Sequence, residues 1–287
     1  MLNALTIDVE DYYQVSNFEP LVGFENWGRY ASRVELNTHR LLDLLDRHHT
    51  KATFFVLGWV AEQNSPLVRE IHERGHEVAS HGYSHRLVYD QTPVQFRDET
   101  RRCKGILEQL IGQSIQGYRA ASYSITKESG WALEVLREEG FVYDSSIFPI
   151  HHDRYGISDS PRFCHELDGQ FGKGLVEVPL STLRFAGQNV PIAGGGYFRI
   201  FPYAITRWGI RRLNLKEHQP AIVYLHPWEV DPDQPRIQAG LLSSFRHYRN
   251  LDKTEDRLTR LLEEFQFGPV REVLREKGLI ESSGTAY

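Results

Sequence analysis

The feature that most restricts the fold of this 287-residue chain is an alternation of short apolar runs with helical patterns, several runs ending at a residue able to ligate a metal or carry a proton. Runs at 4–7, 52–56, 77–79, 117–118, 141–143 and 221–225 read as strands, and 34–48, 66–74, 93–111, 128–139, 255–265 and 270–276 read as helices. In 34–48 the apolar face is assigned to Leu36, Leu41, Leu44 and Leu45, while Pro66 suits a first turn and Gly75, Gly112 and Gly140 suit helix ends. Such alternation predicts a parallel sheet, open or closed. No fixed-period repeat is seen, which removes solenoids and propellers. Between 150 and 220 the pattern loosens around several prolines and G-G-G at 194–196, so irregular structure decorating the main domain is expected there. The final S-S-G-T-A-Y is expected to fray.

In a parallel α/β sheet the C-terminal strand ends gather at one face, where these folds bind ligands. Asp8, His81, Arg119, Asp144 and His226 each follow a strand, so five residues far apart in sequence are expected to converge. The segment S-H-G-Y-S-H at 80–85 spaces His81 and His85 at i, i+4, which places two imidazoles on one face of a helical turn. In a chain with 13 histidines that pair carries little weight alone. Its weight comes from the carboxylates of T-I-D-V-E-D at 6–11. Two imidazoles, one carboxylate, an open position for water and a further carboxylate as base compose a hydrolytic zinc centre.

Composition narrows the function classes. The formal charge of −5, from 33 basic and 38 acidic residues, comes without a basic cluster, which argues against a nucleic-acid partner. Cys103 and Cys164 are far apart, so neither a disulfide framework nor a cysteine zinc site is expected. No apolar run approaches the roughly 18 residues of a transmembrane helix, and the first residues lack a basic leader region. A cytoplasmic location is therefore expected. The chain reads as one catalytic domain over 1–287, with a core of about 1–230 and a helical extension of about 231–280. Oligomeric state is left open.

The ordered set T-I-D-V-E-D (6–11), T-F-F-V-L-G (53–58), G-H-E-V-A-S-H-G-Y-S-H (75–85), G-Y-R-A-A-S (117–122), Y-D-S-S-I-F-P (143–149), G-G-Y-F-R (195–199) and L-H-P-W-E (225–229) covers nearly the whole chain. It resembles the polysaccharide deacetylases, the NodB-homology carbohydrate esterases of family 4, and looks most like the exopolysaccharide-locus subfamily that opens with D-V-E-D. The resemblance implies a distorted (β/α)7 barrel with irregular insertions and C-terminal helices. It also implies metal-dependent removal of N-acetyl groups from amino-sugar oligo- or polysaccharides in exopolysaccharide biosynthesis. On the matching positions it makes Asp8 the general base, His81 and His85 metal ligands with either Glu10 or Asp11, and Arg119 the residue that orients the base. Ser122 would offer its N–H to an oxyanion, His226 would be the general acid, and Asp144 would orient it. The Pro usual two residues after the Arg is Ala121 here. The metal expected is zinc, with cobalt, nickel or iron as alternatives.

Tyr12, Tyr83, Tyr123, Tyr197 and Trp228 lie near strand ends or site loops and suit stacking against sugar rings, although core packing is the default for any one of them. His151 and His152 read as loop residues within reach of substrate, and His76 as a packing residue. Leu258, Leu261, Leu262 and Phe265 make the helix at 255–265 an amphipathic cover. Two other functions stay open: a metal hydrolase of small non-sugar amides, and a catalytically silent glycan-binding homologue.

Overall fold

The structure, a computed structural model, describes residues 1–152, 154–192 and 194–281. The terminal segment expected to fray lies outside the described residues. Seven strands run parallel in the order β10-β1-β2-β3-β4-β5-β7: β1 (Asn3–Val9), β2 (Thr53–Val56), β3 (Glu77–Ser80), β4 (Gly117–Tyr118), β5 (Tyr143–Asp144), β7 (Val176–Glu177) and β10 (Ile222–Leu225). The short β6 (His165–Glu166) pairs antiparallel with β7, and β11 (Phe267–Gly268) pairs with the start of β1. The sheet curls until β10 faces the segment after β7, where the Ile222 N–H donates to Ser181 Oγ at 2.7 Å. This is a distorted (β/α)7 barrel.

Side-chain parity divides the core. In register, Ala4, Phe55, Ala79, Tyr143, Val176 and Ile222 fill the barrel interior, while their neighbours Leu5, Ile7, Phe54, Val56, Val78 and Val223 face the helices. The same period of two carries Thr6 and Asp8 inward on β1. Gly117 is required on β4 because a Cβ there would lie 2.1 Å from the Tyr143 ring.

The surrounding helices are α1 (Val34–Arg47), α2 (Gly58–Gln63), α3 (Ser65–Glu73), α4 (Pro93–Ile111), α5 (Trp131–Glu138), α6 (Gly195–Ile200), α7 (Tyr203–Arg212), α8 (Leu241–Tyr248), α9 (Thr254–Glu264) and α10 (Val270–Glu276). Helix α4 starts at a reciprocal cap between Thr92 and Gln95 and stops at Gly112, whose φ of 67° a residue with a Cβ adopts only at a cost. In α1 the buried face is Val34, Leu41, Leu42, Leu44 and Leu45; Leu36, assigned to that face from sequence, is 53% exposed. Residues 150–220 are more regular than their composition suggested. They hold α6, α7 and a hairpin of β8 (Thr182–Phe185) and β9 (Gln188–Pro191). In α9, Leu258, Leu261 and Leu262 are buried, as an amphipathic cover requires.

Parity also decides the fate of Asp144. Tyr143 points into the barrel, so Asp144 points outward, where Ser146 donates to it from N (3.2 Å) and Oγ (2.5 Å) and Glu177 faces it. Burial lifts Asp144 to about 6; burial and the charge of Asp144 lift Glu177 well above the usual carboxylate range. A carboxyl whose pKa is raised by folding stabilises the native state fully below its unfolded value, and that contribution is lost as pH rises through the folded value. Raising the pH from 4 to 8 is therefore expected to cost on the order of 2 kcal/mol at Asp144. Glu177→Gln removes the titration of Glu177 and still offers a donor to Asp144, whose own shift comes from burial. Thermal melts at the two pH values should show the Asp144 loss retained in the variant and only the Glu177 contribution gone.

Candidate active site

Each functional side chain is delivered by a strand end. Asp8 comes from the inward face of β1, Glu10 from the turn after it, His81 from beyond β3, Arg119 from beyond β4 and His226 from beyond β10. Asp8, Glu10, His81 and His226 meet at the wall of one cavity of about 310 Å³, and Arg119 lies buried behind Asp8.

Arg119 is fully buried and spends its fork on the base of the site: Nη1 donates to Asp8 Oδ1 at 2.6 Å and to Thr6 Oγ1 at 2.7 Å, and Nη2 to Ser145 Oγ at 2.9 Å. Its guanidinium lies 4.1 Å from the centre of the Phe55 ring. Asp8 is thereby fixed in one orientation, with its other oxygen 3.4 Å from the Tyr123 hydroxyl and 3.9 Å from His226 Nε2.

Glu10, His81 and His85 bring three ligating atoms within 4.8 Å of one another. The His81 ring is set by Nδ1, which donates to the Arg119 carbonyl at 2.8 Å and leaves Nε2 with its lone pair. Burial holds the His81 pKa down to about 4, which keeps the ring neutral and able to ligate. Glu10 Oε2 is buried without a hydrogen bond although it lies 3.0 Å from His85 Nε2. An orphaned carboxylate oxygen between two imidazoles suits a divalent cation. Burial opposes the Glu10 charge, yet His85 and His226 hold its pKa at about 2.

The histidines are not on a helix, contrary to the expectation from their i, i+4 spacing. Residues 81–85 form a bend in which Gly82 and His85 take φ values of 74° and 53°, and this turns the rings to within 5.3 Å. Asp11 is kept away from the cation site. Its oxygens accept from Tyr12 N (2.9 Å), Ser32 Oγ (2.8 Å), Arg33 N (2.7 Å) and Val34 N (3.1 Å), so it caps the start of α1. The structure brings Glu10, not Asp11, to the imidazoles.

His226 is oriented by a residue the sequence reading gave no role. Pro227–Val230 forms a short 3-10 turn in which Glu229 Oε2 accepts from His226 N at 2.9 Å and from Nδ1 at 3.0 Å. Glu229 Oε1 in turn accepts from Arg199 Nε at 2.5 Å. Burial works against the imidazolium, but Glu10 and Glu229 raise the His226 pKa to about 9. Asp144, expected to orient His226, faces the helical layer instead and is replaced in that position by Glu229. H-P-x-E was the available signal, since a proline followed by an acid marks a first turn capped at the third residue. Glu229→Gln keeps an acceptor for Nδ1 but loses the charge that favours the imidazolium. Turnover is expected to fall by up to about 100-fold with KM little changed, read by steady-state kinetics beside a melt that tracks the newly unpaired Arg199.

Ser122 lies on the cavity wall with φ 49° and its hydroxyl 2.6 Å from Ser16 Oγ. Tyr123, Tyr197 and Trp228 also line the cavity. Two residues assigned to substrate from sequence do not. Tyr12 is packed edge-on against Tyr13 in the core, because its polar turn neighbour Asp11 anchors it to α1. Tyr83 lines a separate depression, held by a hydroxyl bond to Glu62 at 2.8 Å and by Arg102 over its ring. His152 lines the cavity, stacked on Tyr155, whereas His151 is exposed and His76 is buried, accepting from Ala52 N at 3.1 Å.

Residues 28–143 match the family model described as polysaccharide deacetylase, and residues 145–275 match a domain of unknown function, DUF3473. The two matches follow one another along the chain, the deacetylase model first. A peptidoglycan deacetylase of Helicobacter pylori is 33% identical over 119 residues, 42% of this chain and 39% of that protein. A chitooligosaccharide deacetylase of Bradyrhizobium is 30% identical over 99 residues, 34% of this chain and 43% of that protein. The chain spans about two fifths of the length of these relatives. The crystal structure of a putative polysaccharide deacetylase from Mycobacterium smegmatis matches with a TM-score of 0.62 at 20% identity, covering 99% of this chain and 93% of that one. A CE4 family pseudoenzyme from Bacillus anthracis matches with a TM-score of 0.50 at 17% identity, over 95% of this chain and 65% of that one. At these identities the structural matches establish the fold, which active and silent proteins can share. No helix among the described residues is long and apolar enough to cross a membrane.

Proposed function

We propose that this chain is a metal-dependent N-deacetylase of amino-sugar oligo- or polysaccharides, and that zinc is its metal. The observation that carries the reading is the Asp8–Arg119 pair set beside Glu10, His81 and His85, with His226 Nε2 3.2 Å from Glu10 and 3.9 Å from Asp8. A divalent cation held by Glu10, His81 and His85 would polarise the acetyl carbonyl and make water more acidic.

The remaining steps fall to the chain's own groups. Asp8, aimed by Arg119, takes the proton of the attacking water. The Ser122 N–H, presented by the bend at 121–123, donates to the oxygen that gains charge, an interaction of about 3 to 4 kcal/mol where such donors have been removed in other enzymes. His226, oriented by Glu229 through Nδ1, gives its proton to the departing amine. Tyr123 and Tyr197 offer apolar surface to a sugar ring, while Trp228, stacked between His226 and His247, supports the acid. The D-V-E-D opening supports exopolysaccharide biosynthesis as the setting.

Acetate release from N-acetylglucosamine oligomers tests the reading. Zinc-loaded protein should release acetate and chelator-treated protein should not, with activity restored on adding zinc back. Zinc-loaded protein that binds the oligomers and releases nothing would replace the deacetylase by a silent glycan-binding protein. Turnover of small cyclic amides alone would replace the glycan by a non-sugar substrate.

A further inference from the structure

Helix α8 has two faces with different partners. Its inner face belongs to the acid's support. The His247 ring stacks on Trp228 at 4.1 Å and 13°, Trp228 stacks on His226 at 5.1 Å, and Arg199 Nη1 donates to the carbonyls of His247 and Arg249 at 2.7 and 3.0 Å. Its outer face holds Leu241, Leu242 and Phe245, which are 93%, 62% and 50% exposed. At 100° per residue, Leu241, Phe245, Arg249, Leu242 and Arg246 fall in that order on one continuous arc. Three large apolar side chains on a single solvent-facing arc exceed what an isolated surface residue requires.

Charge says what covers them. Arg246 and Arg249 share the arc, Arg249 lies over the Phe245 ring, and the exposed Arg236 lies over the Tyr248 ring. Among the described residues none of these three arginines has a carboxylate partner within 4.0 Å, on a chain whose formal charge is −5. Residues 241–249 contain no Asp or Glu. A symmetric dimer through this arc would bring like guanidinium groups together. An anionic lipid surface satisfies both halves of the pattern, the phosphates meeting the arginines while the leucines and the phenylalanine enter the acyl boundary.

We propose that α8 docks this protein on an anionic bilayer surface. Arg246 lines the cavity as well as the arc, so the cavity opens beside the docking face. The consequence that a membrane-held glycan would be presented there rests on the deacetylase reading; the docking does not.

Co-sedimentation with phosphatidylcholine vesicles, with and without about one third phosphatidylglycerol, tests it. Wild-type protein is expected to sediment with the anionic vesicles only, less so as salt is raised. The double variant L241S/F245S should bind about tenfold less, with its melting temperature unchanged because both side chains face solvent. R236Q/R249Q should lose the preference for anionic lipid. Equal sedimentation of wild type and L241S/F245S, or no sedimentation of wild type, would overturn the proposal. So would a wild-type dimer in light scattering that becomes monomeric in L241S/F245S, since a second copy would then cover the face. These readouts need no turnover, so failure of the deacetylase reading and failure of the docking are seen separately.

Discussion

Replacing Asp8 by asparagine is expected to lower the rate of acetate release by about 10² to 10⁴-fold, the range typical for loss of a positioned base. Asparagine keeps the shape of the side chain and can still accept from Arg119 Nη1, but it cannot take up a proton from water. Zinc content should be unchanged, because Glu10, His81 and His85 are left in place. The substitution also leaves the buried Arg119 charge without a carboxylate, and breaking a buried pair can cost about 3 to 5 kcal/mol. Thr6 Oγ1, Ser145 Oγ and the Ser145 carbonyl still accept from the guanidinium, which softens that cost. Kinetics should therefore be compared at a temperature where melts show both proteins folded. If Asp8 served structure alone, turnover per folded, zinc-loaded molecule would survive the change, and the proposed base would be wrong.

How much of this was legible in the sequence depends on whether the deciding interaction was local. Strands β1 to β4 and β10, the limits of α4 and α10, and the gathering of Asp8, His81, Arg119 and His226 at one end follow from periodicity and from the rule that strand ends of parallel sheets converge. Asp144 was misread because a strand's parity depends on its pairing. Only with Tyr143 seen inside the barrel does Asp144 turn outward. The two histidines were given the right proximity for the wrong reason, since an i, i+4 spacing looks the same in a helix and in a bend with Gly82 at positive φ. Tyr12 and Tyr83 sit within one or two residues of metal-site residues, yet adjacency in sequence does not set side-chain direction. Glu229 had a local signature that went unused. Arg199, thirty positions before it, closes the G-G-Y-F-R motif, but nothing local ties it to Glu229, because the partnership exists only after α6 is packed against the turn after β10.

The choice between Glu10 and Asp11 gives the second large effect. Glu10→Gln should weaken zinc binding by more than about 100-fold, more than is lost when a residue supporting a metal ligand is changed, while leaving the apo protein folded. Glu10 contacts His85 and His226 and no backbone donor apart from its own turn, so neutralising it removes a buried charge rather than a structural bond. Asp11→Ala should do the reverse. It deprives Ser32, Arg33 and Val34 of their acceptor at the start of α1, and loss of a cap costs about 1 to 2 kcal/mol. Its zinc affinity should stay within a few-fold of wild type. Calorimetric zinc titration reads the first effect, and melts in the presence of chelator read the second free of any stabilisation by bound metal. The opposite pattern, with Asp11→Ala losing zinc and Glu10→Gln retaining it, would move the ligand by one residue. It would also require α1 to shift away from Asp11 when the cation binds.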